Sequence, residues 1–134
     1  MIIKITPDKE KVSSMRELIE NREKFVVSIR KTEFPTILAE NYYEIIKELA
    51  TAILLLDGFK AIGEKAHKEL IESLSKYKEF EEGEIVLLDD LRIKRNKSSY
   101  GGKQIDQSYL ENKEEKILNI IKKMKSLLDE RQKI

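Results

Sequence analysis

Arg95 follows Leu88 and Leu91 at i+7 and i+4, so at helical spacing it continues an apolar stripe instead of joining a solvated face. A guanidinium placed there needs a partner. Ser99 lies one turn further along that face, while Arg92, Asn96 and Tyr100 form the adjacent line and Gly101-Gly102 supplies a flexible turn. Such a set of donors suits phosphate, because a guanidinium offers planar bidentate hydrogen bonds. Arg92, Lys94, Arg95 and Lys97 also make a basic cluster of the kind that meets nucleic acid. The same spacing fits a structural role as well. Arg95 then pairs with a buried carboxylate such as Glu44 or Glu48, Asn96 caps the helix end, the glycines terminate it, and the cluster is a solvated face of a Lys-rich protein.

Other chemistries find less support. The single histidine, His67, shares a helical face with Leu70, Ile71 and Leu74, which fits a core or interface histidine better than a catalytic one. One histidine and no cysteine exclude multi-histidine and thiolate metal sites, disulfides and cysteine nucleophiles. Asp89 and Asp90 are adjacent in a helix and point in different directions. There is no Gly-rich phosphate loop after a strand, no Gly-x-Ser-x-Gly elbow and no zinc-deaminase signature. No metal and no cofactor is expected.

The elements that must position these residues are helical. The 134 residues contain only 2 prolines and 5 glycines, with 38% charged residues dominated by Lys and Glu. Thr6-Pro7 reads as a cap and first turn for a helix carrying Val12, Met15, Ile19, Val26 and Ile29, ending near Arg30. After Phe34-Pro35, a central helix bears Leu38, Tyr42, Ile45, Leu49, Ala52 and Leu56 and stops at Asp57-Gly58. A third helix follows Gly63, with Ala66, His67, Leu70, Ile71, Leu74 and Tyr77 on one face. A fourth starts near Glu84, with the polar Arg95–Gly102 element after its body. Asp106 caps a last helix built on Leu110, Ile117, Ile121, Met124 and Leu128. No segment alternates with period two, so no sheet is expected. The pattern predicts a single all-α domain over residues 1–134, an up-and-down antiparallel bundle of four to five helices. Met1–Ile5 and the tail after Leu128 are the expected mobile ends.

The balance of 26 Lys plus Arg against 25 Asp plus Glu leaves a net charge of +1, so a polyanion must be met locally. The first residues have no apolar leader core, and the longest apolar run, Leu49 to Leu56 with Thr51 inside it, is too short to span a bilayer. A cytoplasmic protein is expected.

Two segments resemble the HEPN superfamily, the higher eukaryote and prokaryote nucleotide-binding domains, and in particular its small prokaryotic members. One is Tyr43-Glu44-Ile45-Ile46-Lys47-Glu48-Leu49-Ala50-Thr51-Ala52, continuing to Asp57-Gly58-Phe59-Lys60-Ala61 and His67-Lys68-Glu69-Leu70. The other is Asp90-Leu91-Arg92-Ile93-Lys94-Arg95-Asn96 with Ser99-Tyr100-Gly101. The resemblance implies a helical bundle that pairs into a homodimer, so that the Arg-bearing helices of two subunits build one cleft. It also implies metal-independent RNA cleavage in members with an Arg-x4-6-His motif. Here Arg95 and Asn96 match the start of that motif, Tyr100 stands where the histidine would be, and no histidine follows. Imidazole titrates near neutrality and an unperturbed phenol near ~10, so Tyr100 is a poor acid–base substitute, though it can donate a hydrogen bond or stack on a base.

The leading expectation is therefore a non-catalytic protein binding RNA or a nucleotide through Arg92, Arg95, Asn96, Lys97, Ser99 and Tyr100. By the resemblance it belongs to a nucleotidyltransferase-linked or toxin–antitoxin and defence system. One alternative is an endoribonuclease in which Arg95 works with Tyr100, or with His67 brought into the cleft by folding. The other is a structural protein-interaction module.

Overall fold

The computed structural model describes residues 1–133, which form five α-helices, one turn of 3-10 helix and a two-stranded sheet. Helix α1 (Lys9–Ser28) starts at Asp8, whose carboxylate accepts the Lys11 N–H at 3.0 Å. Thr6 and Pro7, expected at this start, lie outside it, because the Asp8 carboxylate is what satisfies the first-turn donor. The helix also stops at Ser28, short of Arg30.

Helix α2 (Pro35–Asp57) takes Pro35 in its first turn, where the missing N–H costs nothing. Gly58 ends it at φ +85°, with its N–H turned back to the Leu54 and Leu55 carbonyls. A side chain there would be strained by that φ, and its Cβ would lie 3.1 Å from the Ile5 carbonyl. That close approach brings the N-terminal strand onto the end of α2.

The absence of a sheet is corrected by two short strands. Strand β1 (Ile2–Lys4) pairs antiparallel with β2 (Phe59–Ala61), in the register Ile2 to Ala61, Ile3 to Lys60 and Lys4 to Phe59. Three residues are too few for alternation to register in a sequence, and the partners are far apart along the chain. The ends expected to be mobile are both tied. The Met1 amino group donates to the Ile62 carbonyl at 2.8 Å and pairs with Glu69, while Arg131 near the other end pairs with Asp57 at 3.0 Å.

Helix α3 (Ala66–Ser73) is followed by the 3-10 turn Leu74–Lys76, so the single helix expected to reach Tyr77 is shorter and tightens at its end. Helix α4 (Glu82–Gly101) opens with a capping box between Glu81 and Glu84. It stays helical through Gly101, so the Arg95–Gly101 segment is its last two turns and not a following loop. Gly102, at φ +68°, turns the chain, and α5 (Gln107–Gln132) follows from Asp106.

Ion pairs show how the helices run. Arg22 of α1 meets Glu48 of α2, and Glu23 and Arg16 of α1 meet Lys125 and Asp129 of α5. Arg95 of α4 meets Glu44 of α2, while Tyr42 of α2 meets Glu114 of α5. Helices α2 and α5 are therefore parallel neighbours, with α1 and α4 antiparallel to them, and α3 bridges the turn from α2 to α4. The all-α up-and-down bundle is realised. One continuous core fills it, with Tyr43, Leu49, Ile53, Leu88, Leu91, Leu110, Ile117 and Met124 fully buried. No helix of the described residues is long and apolar enough to cross a membrane.

Candidate anion-binding site

Side chains on α4 separate by their angular position, since successive residues turn by about 100°. Arg95, Ser98 and Ser99 face α2. The Arg95 guanidinium meets a Glu44 carboxylate oxygen at 2.6 Å, and the other Glu44 oxygen takes the Lys47 ammonium at 2.6 Å. One turn on, Glu40 accepts hydrogen bonds from the Ser98 and Ser99 hydroxyls at 3.0 and 2.8 Å. Arg95 also stacks on aromatic faces, 5.3 Å from the Tyr43 ring centre and 5.8 Å from that of Tyr100. Its side chain is only 15% exposed.

Arg92, Asn96 and Tyr100 face the other way. With Lys65, His67 and Lys68 around the start of α3, they line a cleft of about 340 Å³. That volume is near the lower end for small-molecule sites. The start of α3 has no side-chain cap, and its first N–H, that of Ala66, donates to the Gly63 carbonyl at 3.2 Å. Arg92 is held by Asp89 at 2.8 Å, and Tyr100 stands 79% exposed at the rim. Two lysines, an arginine, an amide and an imidazole against Glu64 make a cleft that favours an anion.

His67 is exposed at this cleft, which corrects the core half of the core-or-interface expectation: its face-mates Leu70, Ile71 and Leu74 are buried while the imidazole emerges at the helix start. Partial burial, then the charges of Lys47, Arg95 and Arg92, push its pKa below the ordinary value against the opposing pull of Glu44. The imidazole is thus neutral at pH 7. Its ring lies edge-on to Tyr43, with centres 6.4 Å apart. The Tyr43 hydroxyl is fully buried without a hydrogen-bond partner, and burial pushes its pKa up to about 12 against the pull of Arg95 and Arg92. Burial disfavours ionisation of Glu44 too, but its bond to Lys47 and the charges of Lys47 and Arg95 outweigh this and hold the carboxyl below the usual range.

Of the residues singled out in the sequence, the fold brings Arg92, Asn96, Tyr100 and His67 to one cleft. Arg95 and Ser99 sit on the α2 side, engaged by Glu44 and Glu40, and Lys97 lies across α4 in another depression. Glu44 is the partner of Arg95, whereas Glu48 takes Arg22. Asn96 caps nothing, being within the helix, where it accepts from Arg95 at 3.4 Å. Lys65 and Lys68 were missed because surface lysines carry no signal until a fold converges them. A larger groove of about 590 Å³ between α4 and α5 has a mixed lining in which Lys123 is taken by Glu84. It lacks the one-sided charge of the α3–α4 cleft. No group of three metal-ligating side chains occurs among the described residues. No protein-family model, curated protein or solved structure matches the chain.

Proposed function

We propose that this is a HEPN-like cytoplasmic protein that binds the phosphate of RNA or a nucleotide in the α3–α4 cleft. The observation that carries this reading is the convergence of Arg92, Asn96, His67 and Tyr100 with Lys65 and Lys68 at the uncapped start of α3. Arg92 offers the planar donor pair, Lys65 and Lys68 add positive charge, and exposed Tyr100 offers a face for a base. Arg95 supports the site from behind: locked to Glu44 and stacked on Tyr43 and Tyr100, it fixes the last turns of α4.

Amide NMR spectra titrated with a short single-stranded RNA test this. Saturable shifts at His67, Lys68 and Asn96, lost in Arg92→Gln, support binding in the cleft. Shifts absent there, or unchanged by the substitution, refute it.

The surroundings of His67 favour a second reading, metal-independent RNA cleavage. A neutral imidazole beside Arg92 suits removal of the proton from a ribose 2′-hydroxyl as its oxygen attacks phosphorus, closing a 2′,3′-cyclic phosphate while the 5′-oxygen leaves with a proton from water. Cleavage of single-stranded RNA in chelator by the wild type, abolished in His67→Ala, supports it, and intact RNA under those conditions eliminates it.

Pairing of two copies is part of the HEPN-like proposal. Val86, Ile93 and Tyr100 recur every seven residues along the exposed side of α4 and offer an apolar strip for it. A nucleotidyltransferase partner within a defence or toxin–antitoxin system is the setting the resemblance suggests.

A further inference from the structure

Across α4 from the α3–α4 cleft, the corner between α4 and α5 holds a second cationic depression. Gly102 closes α4 with its N–H on the Ser98 carbonyl at 3.1 Å, and the Lys103 N–H returns to the Lys97 carbonyl at 3.1 Å. This closure folds Lys103 back toward Lys97. The next residues are pinned from α2. Ile105 is buried, and its N–H donates to the Thr36 hydroxyl at 2.8 Å. That hydroxyl in turn donates to the Gln104 side-chain oxygen at 2.8 Å, leaving the amide nitrogen of Gln104 as a free donor. The chain then enters α5, whose Asp106 cap makes no side-chain hydrogen bond to the first turn. Lys94 lies 4.9 Å above the ring of Tyr109.

The result is a cleft of about 340 Å³ lined by Lys94, Lys97, Lys103, Gln104, Ser108 and Tyr109. Its charge is one-sided. Lys31, Lys47, Lys123 and Lys125 each hold a carboxylate, but Lys94, Lys97 and Lys103 have none among the described residues. Asp106 is the one carboxylate in the lining. Like charges converge at a cost unless a counter-anion joins them, and here the Gln104 amide and the Ser108 hydroxyl line the same cleft.

We propose that the α4–α5 corner is a second, separate phosphate-binding subsite, taking either a free phosphorylated small molecule or a phosphodiester of a nucleic-acid strand. It does not depend on the α3–α4 cleft, since its donors lie on the other side of α4.

Amide NMR of the full chain with inorganic pyrophosphate is the test. The wild type shows saturable shifts at Lys103, Gln104, Gln107 and Ser108. The Lys94→Gln/Lys97→Gln/Lys103→Gln variant binds at least about tenfold more weakly, three charge-assisted contacts being lost. Lys97→Gln/Lys103→Gln, which keeps Lys94 on Tyr109, gives an intermediate loss and guards against misfolding of the triple variant. Arg92→Gln leaves the corner shifts unchanged, so failure here and failure in the α3–α4 cleft are read from different signals. Repeating the titration with a 5′-mononucleotide and with a single-stranded oligonucleotide separates the two sources. Corner affinity that rises with strand length identifies a nucleic acid, and equal affinity identifies a small phosphorylated ligand. Absence of saturable corner shifts with all three probes, or shifts that persist undiminished in the triple variant, overturns the proposal.

Discussion

Replacing Arg95 with alanine separates structural support from ligand contact. The guanidinium donates to Glu44 at 2.6 Å and covers Tyr43 at 5.3 Å, with both members of the pair mostly buried. Removing one partner of a fully buried pair costs about 3–5 kcal/mol, because the other charge is stranded. Glu44 is not stranded here, since Lys47 still holds it at 2.6 Å. What is lost is one charged hydrogen bond, roughly 1.5 kcal/mol, and the cation–π contact with buried Tyr43, roughly 0.5–1 kcal/mol, while the contact with exposed Tyr100 adds little, about 2 kcal/mol together. For a chain of this size that lowers Tm by about 8 °C. Affinity for a mononucleotide in the α3–α4 cleft should change by less than about threefold, because Arg95 does not line it. Differential scanning calorimetry and calorimetric titration on the same samples measure both. A variant with unchanged Tm and no binding would show that Arg95 is a ligand contact and that the division of α4 into two faces is wrong.

Other perturbations follow from the same geometry. Because the folded His67 pKa lies below its unfolded value, the unfolded chain binds more protons, so the contribution of this group is present above about pH 6.5 and falls as pH drops through the folded pKa. Thermal unfolding of wild type and His67→Gln between pH 7.5 and 5 should show a smaller acid-induced decline in the variant, and parallel declines would refute it. Glu44 has the same sign at lower pH: its stabilisation is present above its unfolded value and is lost as pH falls through the depressed folded pKa, a loss absent from Glu44→Gln. Gly58→Ala places a Cβ 3.1 Å from the Ile5 carbonyl at positive φ and should cost about 1–3 kcal/mol, read as a lowered urea midpoint. On the proposed pairing of two copies, Ile93→Glu puts a charge in the exposed α4 strip and should turn a sedimenting dimer into a monomer, whereas a wild type that sediments as a monomer, or a dimer unchanged by the substitution, would refute pairing through this strip.

The helical architecture was legible because apolar residues repeat at helical spacing over long stretches, and Leu38, Tyr42, Ile45, Leu49 and Ala52 of α2 are buried as that spacing requires, with Leu56 partly so. The adjacent line Arg92, Asn96 and Tyr100 was legible for the same reason, since residues four apart share a helix face. The pairing of Arg95 with Glu44 was foreseeable as one of two options, because a guanidinium on an apolar stripe demands a carboxylate. The strands were not legible: Ile2 and Ala61 lie far apart in sequence, and three-residue partners carry no period. His67 misled because its neighbours on the helix are core residues, and whether the first turn of a short helix is covered depends on what packs over it. The α4–α5 corner was hidden in the same way, as its three lysines converge only once Gly102 reverses the chain and Thr36 pins Ile105.

The affinity of a short single-stranded RNA for wild type and Arg92→Gln, measured by fluorescence anisotropy over a range of salt, reports on phosphate binding in the α3–α4 cleft. Phosphate binding in the α3–α4 cleft predicts that the substitution weakens binding and flattens the slope of log K against log salt by about 0.7, the contribution of one phosphate contact on a single strand. Equal affinity and equal slope in the two proteins would contradict it.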